Sequence, residues 1–182
     1  MTEPKERDGV TFFTVGHSDH SLEEFIGMLT DAGASLVCDV RKMPGSRRNP
    51  QFDDTVLAAA LPDAGIRYLR IAELGGLRKR VRSVPEETNA LWRNRSFHNY
   101  ADHALSDAFR EGLRMLREHR AAQPAVMCAE AVWWRCHRRI IADHLLAAGD
   151  EVVHIMPGGR LDAAHLTPGA DARPDGTVVY PA

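Results

Sequence analysis

Apolar residues along this chain fall into short compact runs that alternate with stretches of helical spacing. Val10 to Val15 is a β-rich run, and Gly16-His17-Ser18 follows at its carboxyl end. Ser21-Leu22-Glu23-Glu24 has the form of a capping box, in which a hydroxyl and a carboxylate three residues on satisfy the first free N–H groups of a helix. Leu22, Phe25, Ile26 and Leu29 continue that helix, and Gly33 closes it. Ser35 to Val40 reads as a second buried strand that ends in Asp39-Val40-Arg41. Val56, Leu57, Ala60 and Leu61 mark a second helix, which Pro62 must end or kink because it has no N–H to donate. Ile66 to Ile71 is a third strand. The basic segment from Glu73 to about Asn99 has no period and is too long for an ordinary connection, so a functional or mobile role is expected. Phe109, Leu113 and Leu116 mark a third helix, broken near Ser106. Pro124 to Cys128 is a fourth strand, followed by a helix carrying Ile140, Ile141, Leu145 and Leu146 up to Gly149. Glu151 to Ile155 is a fifth strand, and one more candidate strand lies at Thr177 to Tyr180.

Strands and helices alternating at this spacing predict βαβ units. The fold class is therefore α/β: three layers, with a mostly parallel sheet of about five strands and helices on both faces. No repeat, low-complexity linker or second core interrupts the pattern. Residues 1–182 read as a single α/β domain, with residues 1–9 as a surface arm and about 157–182 as a surface tail.

Composition adds a compartment. Three cysteines give an odd number without framework spacing, which favours a reducing, cytoplasmic setting. The polar amino end lacks a signal peptide's apolar core, and no apolar run approaches the roughly 20 residues that span a bilayer, so no membrane partner is expected. The net charge of -2 hides an asymmetry. Between Arg41 and Arg95 twelve basic residues face six acidic ones, while the remainder is acidic. A basic half on an acidic body points to an anionic ligand such as a nucleotide or nucleic acid. Solvated charged faces are the plain alternative.

The candidate chemistry sits after the predicted strands, and in a parallel sheet those carboxyl ends share one edge. The catalytic candidates are Cys136, Glu130, Cys128, His17 and Asp39. Cys136 stands near a helix amino end beside Arg135, His137 and Arg138, surroundings that stabilise a thiolate, so its pKa is expected to be depressed. Cys128 is a second reactive thiol or an inert core residue, and Cys38 is expected to be inert. Glu130 and Asp39 are the carboxylates placed for acid/base work, although an ion pair to Arg41 or Arg47 also explains Asp39. His17 is a base, an anion donor or a packing residue. Arg41, Arg47, Arg48, Arg135, His137 and Arg138 are candidates for holding an anion. Trp92, interleaved with Arg93, Arg95, Phe97 and Tyr100, is a candidate for base stacking or for packing. Zinc through Cys128, Cys136 and His137 lacks the tight spacings of structural sites, and no metal is expected. Phosphate-loop and dinucleotide signatures are absent, and no cofactor is expected.

Taken together, several of these motifs resemble one family. Thr14-Val15-Gly16-His17-Ser18, Asp39-Val40-Arg41 with Pro44, Ser46-Arg47-Arg48-Asn49-Pro50-Gln51-Phe52, Glu73-Leu74-Gly75-Gly76, and Met127-Cys128-Ala129-Glu130 with Cys136-His137-Arg138 are similar to the family called domain of unknown function 488. The chain departs from that pattern at Trp133-Trp134, where a proline is expected. The resemblance implies a bacterial-type cytoplasmic α/β protein and no particular activity. From the residues themselves, two classes of function stay open. One is an enzyme acting on a phosphate-bearing substrate at a Cys/His/Glu/Arg site; the other is a non-catalytic anion or nucleic-acid module with structural cysteines.

Overall fold

A computed structural model of the protein describes residues 11–45 and 47–182. Residues 1–9, Val10 and Ser46, which entered the expectations for the arm, the first strand and the arginine loop, lie outside the described residues. Strands β1 (Thr11–Gly16), β2 (Leu36–Asp39), β3 (Arg67–Arg70), β4 (Pro124–Cys128), β5 (Glu151–Ile155) and β6 (Leu161–Ala163) form one sheet in the order β3-β2-β4-β1-β5-β6. The first five run parallel, and β6 joins the edge antiparallel. Two short strands, β7 (Asp171–Ala172) and β8 (Val178–Val179), pair separately.

Side-chain alternation along the strands sends consecutive residues to opposite faces and builds two cores. Phe13, Val15, Val37, Ala125 and Met127 pack with Phe25 and Leu29 of helix α1 (Leu22–Ala32) and Leu57 of helix α2 (Asp54–Ala60). Phe12, Leu36, Cys38 and Val126 pack on the other face. There they meet helices α3 (Arg95–His103), α4 (Asp107–Glu118) and α5 (Arg138–Ala147). This is a three-layer α/β fold. The helix ends follow local chemistry. Ser21 Oγ accepts from the Glu24 N–H at 3.1 Å, and Gly33 closes α1 at φ 87°, a left-handed conformation that glycine adopts without a Cβ clash. The break near Ser106 is a new helix start, with its hydroxyl capping the Phe109 N–H at 3.2 Å.

Most of the segment expected as a surface tail is exposed, and the candidate strand at Thr177 to Tyr180 is present as β8, but parts of the segment join the fold. Leu161–Ala163 completes the sheet, and Val178, Val179 and Tyr180 are buried, with the Tyr180 hydroxyl donating to Asp143 at 2.7 Å. The same tail clamps the long basic segment: the Leu91 N–H donates to Tyr180 O at 3.0 Å, and the Tyr180 N–H to Asn89 Oδ1 at 3.0 Å. That segment is therefore packed, and it delivers Gly76, Leu77 and Phe97 to a cavity at the carboxyl edge.

Topology sets where that cavity lies. The connection after β1 leaves over the α1 face, whereas the connection after β4 leaves over the α5 face. The carboxyl ends of β1 and β4 thus form a topological switch point, where loops diverge and open a crevice.

Candidate functional site at the carboxyl edge

The loop after β4 is held from both sides. The N–H groups of His17 and Ser18 donate to Cys128 O (3.0 Å) and Ala129 O (2.9 Å), and the Val40 N–H donates to Met127 O at 3.0 Å. Two motif glycines make this closeness feasible. A methyl on Gly16 would lie 1.6 Å from Glu130 O, and one on Gly76 would lie 2.9 Å from the His137 ring. Around this loop is a cavity of about 230 Å³, which Arg41, Cys128, Glu130, Arg135, Cys136 and His137 all line. Sequence reasoning did not assign Lys42, Met43, Leu77 or Ser96 to it. Their signal is weak because Lys42, Met43 and Leu77 follow strands two and three on irregular backbone and Ser96 is a polar residue in the first turn of α3.

Asp39 and His17 stand behind this wall. Asp39 is fully buried, and its carboxylate accepts from Arg41 N (3.0 Å), Nε (3.0 Å) and Nη2 (2.7 Å) and from the Tyr68 hydroxyl (2.5 Å). Four donors fill its acceptor capacity, so it positions Arg41. His17 Nδ1 lies 2.8 Å from Ser18 O, which can only accept, so Nδ1 carries the proton and Nε2 accepts from Arg41 Nη1 at 3.3 Å. Burial lowers the His17 pKa, which keeps the ring neutral beside that cation, and it stacks on Phe52 at 4.5 Å. Both residues act through Arg41 in this arrangement.

The thiols depart from expectation. Cys136 is buried, and α5 begins two residues later, at Arg138. Burial pushes its thiol well above the ordinary value, neighbouring Cys128 adds to this, and Arg138 opposes it more weakly. The depressed pKa expected for Cys136 is overturned: desolvation outweighs the helix end and the cations. Cys38 behaves as a core residue, its thiol pushed up to about 12 by burial.

Arg138 is fully buried and stands under the loop. Its Nη1 lies 3.2 Å from Cys128 Sγ and its Nη2 donates to Ala131 O at 3.2 Å, while Nε has no partner among the described residues. Among the described residues no carboxylate accepts from it. A guanidinium taken fully out of water without a counter-charge costs several kcal/mol, so the neighbouring sulfur matters. His137 Nε2 sits 3.0 Å from Val40 O and therefore donates, which leaves Nδ1 as an acceptor 3.6 Å from Cys136 Sγ. Burial lowers the His137 pKa to about 4.

Cys128 Sγ, Cys136 Sγ and a Glu130 carboxylate oxygen all lie within 4.8 Å of one another, an arrangement that could hold a metal ion as well as perform thiol chemistry. Two expected anion holders and the candidate stacking residue are elsewhere or otherwise engaged. Arg47 and Arg48 are exposed and do not line the cavity. Trp92 stacks on Phe97 at 5.0 Å, meets Tyr180 edge-on and lies under Arg139 at 5.2 Å, so it packs the fold.

The fold and this edge define an α/β protein with a cysteine- and arginine-lined cavity at a sheet switch point. Residues 21–145 match the family described as Domain of unknown function DUF488, and the chain belongs to that family. No curated protein and no solved structure gives a match. Among the described residues no helix is long and apolar enough to cross a membrane.

Proposed function

We propose that the protein is an enzyme acting on a phosphate-bearing substrate, a nucleotide or nucleic acid, with Cys128 as nucleophile. The observation that carries this reading is the buried Arg138 guanidinium against Cys128 Sγ at 3.2 Å, with no carboxylate among the described residues accepting from it. In this reading Cys128 is the thiolate that supplies the counter-charge to Arg138, beside a Cys136 that burial keeps protonated. Lys42 and Arg135 on the rim and Arg41 in the buried wall, fixed there by Asp39, hold the phosphate. A volume of about 230 Å³ suits a phosphoryl group and its ester rather than a whole nucleic-acid segment. Cys128 Sγ attacks phosphorus as the ester oxygen leaves, and Glu130 donates a proton to that oxygen. Water then attacks the phosphocysteine, Glu130 takes the water's proton, and phosphate departs with the thiolate restored. The free cysteines agree with a reducing cytoplasm as the place of work.

The test combines labelling with turnover. Iodoacetamide near neutral pH should modify Cys128 at least tenfold faster than Cys136 and Cys38, and Arg138→Met should remove that advantage. Phosphate release from a nucleotide panel should fall about 100-fold or more in Cys128→Ser and in Glu130→Gln. Preferential labelling of Cys136, or turnover indifferent to Cys128, would reject this reading. Retained, salt-sensitive anion binding without turnover would instead support the non-catalytic module.

A metal centre is the second reading, favoured by the 4.8 Å grouping of two sulfurs and a carboxylate. Added zinc would then protect both Cys128 and Cys136 from iodoacetamide until a chelator removes it.

A further inference from the structure

At the opposite end of α5 lies a larger cavity, about 560 Å³, within the range of small-molecule pockets. It shares no lining residue with the cysteine site. Its floor is apolar: Phe109 and Leu113 of α4 and Ala148 beyond α5. Its rim carries Arg110, Arg114, Arg117 and Arg120, against only two lining carboxylates, Glu118 and Asp175. Asp175 already accepts from Thr177 N and Oγ1. Three of the arginines are held by exposed or half-exposed pairs, Arg110 with Asp107, Arg114 with Glu111 and Glu118, and Arg117 with Asp150, and each still has guanidinium N–H groups beyond those bonds. Such pairs contribute little in water, so an incoming anion competes with them easily.

A second, independent feature lies in the floor. His144 is 2% exposed, lines the cavity and leaves Nε2 without a partner among the described residues. Its ring is tilted against Phe109 at 4.8 Å, and burial lowers its pKa to about 4, so it is neutral at physiological pH. A buried imidazole nitrogen with no partner is a hydrogen bond waiting for a polar atom from outside the chain.

The geometry points to a second ligand site here, for a small anion with a flat apolar body. The anionic head meets the arginine rim, the body lies on Phe109 and Leu113, and a polar atom within the body hydrogen-bonds His144.

The probe that matches this description is 8-anilinonaphthalene-1-sulfonate, which has an aromatic body, a sulfonate and an N–H. Its uncharged counterpart, N-phenyl-1-naphthylamine, keeps the body and N–H but lacks the head. Fluorescence titration of the full chain should show one sulfonate-probe site, with the uncharged probe binding at least tenfold more weakly. Arg110→Glu/Arg120→Glu, two exposed positions, should weaken the sulfonate probe at least tenfold and leave the uncharged probe unchanged. The His144 ring resonances should move on binding, and Cys128→Ser should bind the probe as the parent does. Equal binding of both probes, an unaffected arginine variant or unmoved His144 resonances would each overturn the site. Loss of turnover at the cysteine cavity bears on the enzymatic reading alone.

Discussion

Gly16 leaves no space for a side chain because the backbone of Glu130 occupies the place where a Cβ would stand. A methyl there would sit 1.6 Å from Glu130 O and 2.8 Å from Arg138 Nη1, and neither neighbour is a flexible side-chain tip with open space behind it. Gly16→Ala is therefore expected to lower unfolding free energy by on the order of 4 kcal/mol, since relief requires moving the β4 loop itself. Urea denaturation followed by tryptophan fluorescence measures this, and an unchanged midpoint would show that the loop yields at little cost. Gly27 is the control: nothing lies within 4 Å of its would-be Cβ, and an alanine in a helix is favoured over glycine. Gly27→Ala should leave the unfolding free energy unchanged or raise it by up to about 1 kcal/mol.

At the scale of elements, the C-terminal segment decides how the long basic stretch is held. Tyr180 is fully buried, its backbone hydrogen-bonds Asn89 and Thr88, and its hydroxyl donates to the buried carboxylate of Asp143. Tyr180→Phe keeps the ring but leaves that acceptor with one donor fewer, which should cost about 1–3 kcal/mol. Thermal unfolding checks the size, and a neutral result would mean that the Thr167 N–H at 2.9 Å satisfies Asp143 without help. These contacts also explain what the sequence could and could not reveal. Pro124–Cys128 and Glu151–Ile155 were legible because each is a compact run of strand-forming residues between polar or turn residues. Leu161–Ala163 was not, because three residues carry no period and the strand exists only by pairing with β5 after the turn at Gly158-Gly159. Motif order brought Arg41, Cys128, Glu130 and Cys136 to one edge. The roles within that edge were not legible. An arginine in a polar run reads as solvated, and only the folded loop reveals Arg138 as the buried neighbour of Cys128. The same burial reverses the expectation for Cys136.

Across the whole molecule, burial of histidines in both the core and the site ties stability to pH. His137, His144 and His154 all have pKa values lowered to about 4, with desolvation the largest cause in each. His154 is buried between the Thr14 hydroxyl at 2.6 Å and the Trp133 ring stacked at 4.6 Å, so protonation would place a poorly solvated charge inside the protein, on the same side as the Arg138 cation. In the unfolded chain these rings titrate near 6.5. Between pH 6.5 and 4 the unfolded state therefore binds more protons than the folded state, and stability rises with pH across that window. It is complete above about 6.5 and falls as the pH drops towards 4, by on the order of 3 kcal/mol for each histidine. Three such groups together give a steep acid limb, and His154→Gln, which cannot titrate, should make it shallower by about one proton. Urea midpoints from pH 7.5 to 4.5 for the parent and this variant provide the measurement. A parent midpoint that stays flat down to pH 5 would mean that these rings accept protons without unfolding. The variant's own loss of the Thr14 contact should shift its whole curve down and leave the difference in slope readable.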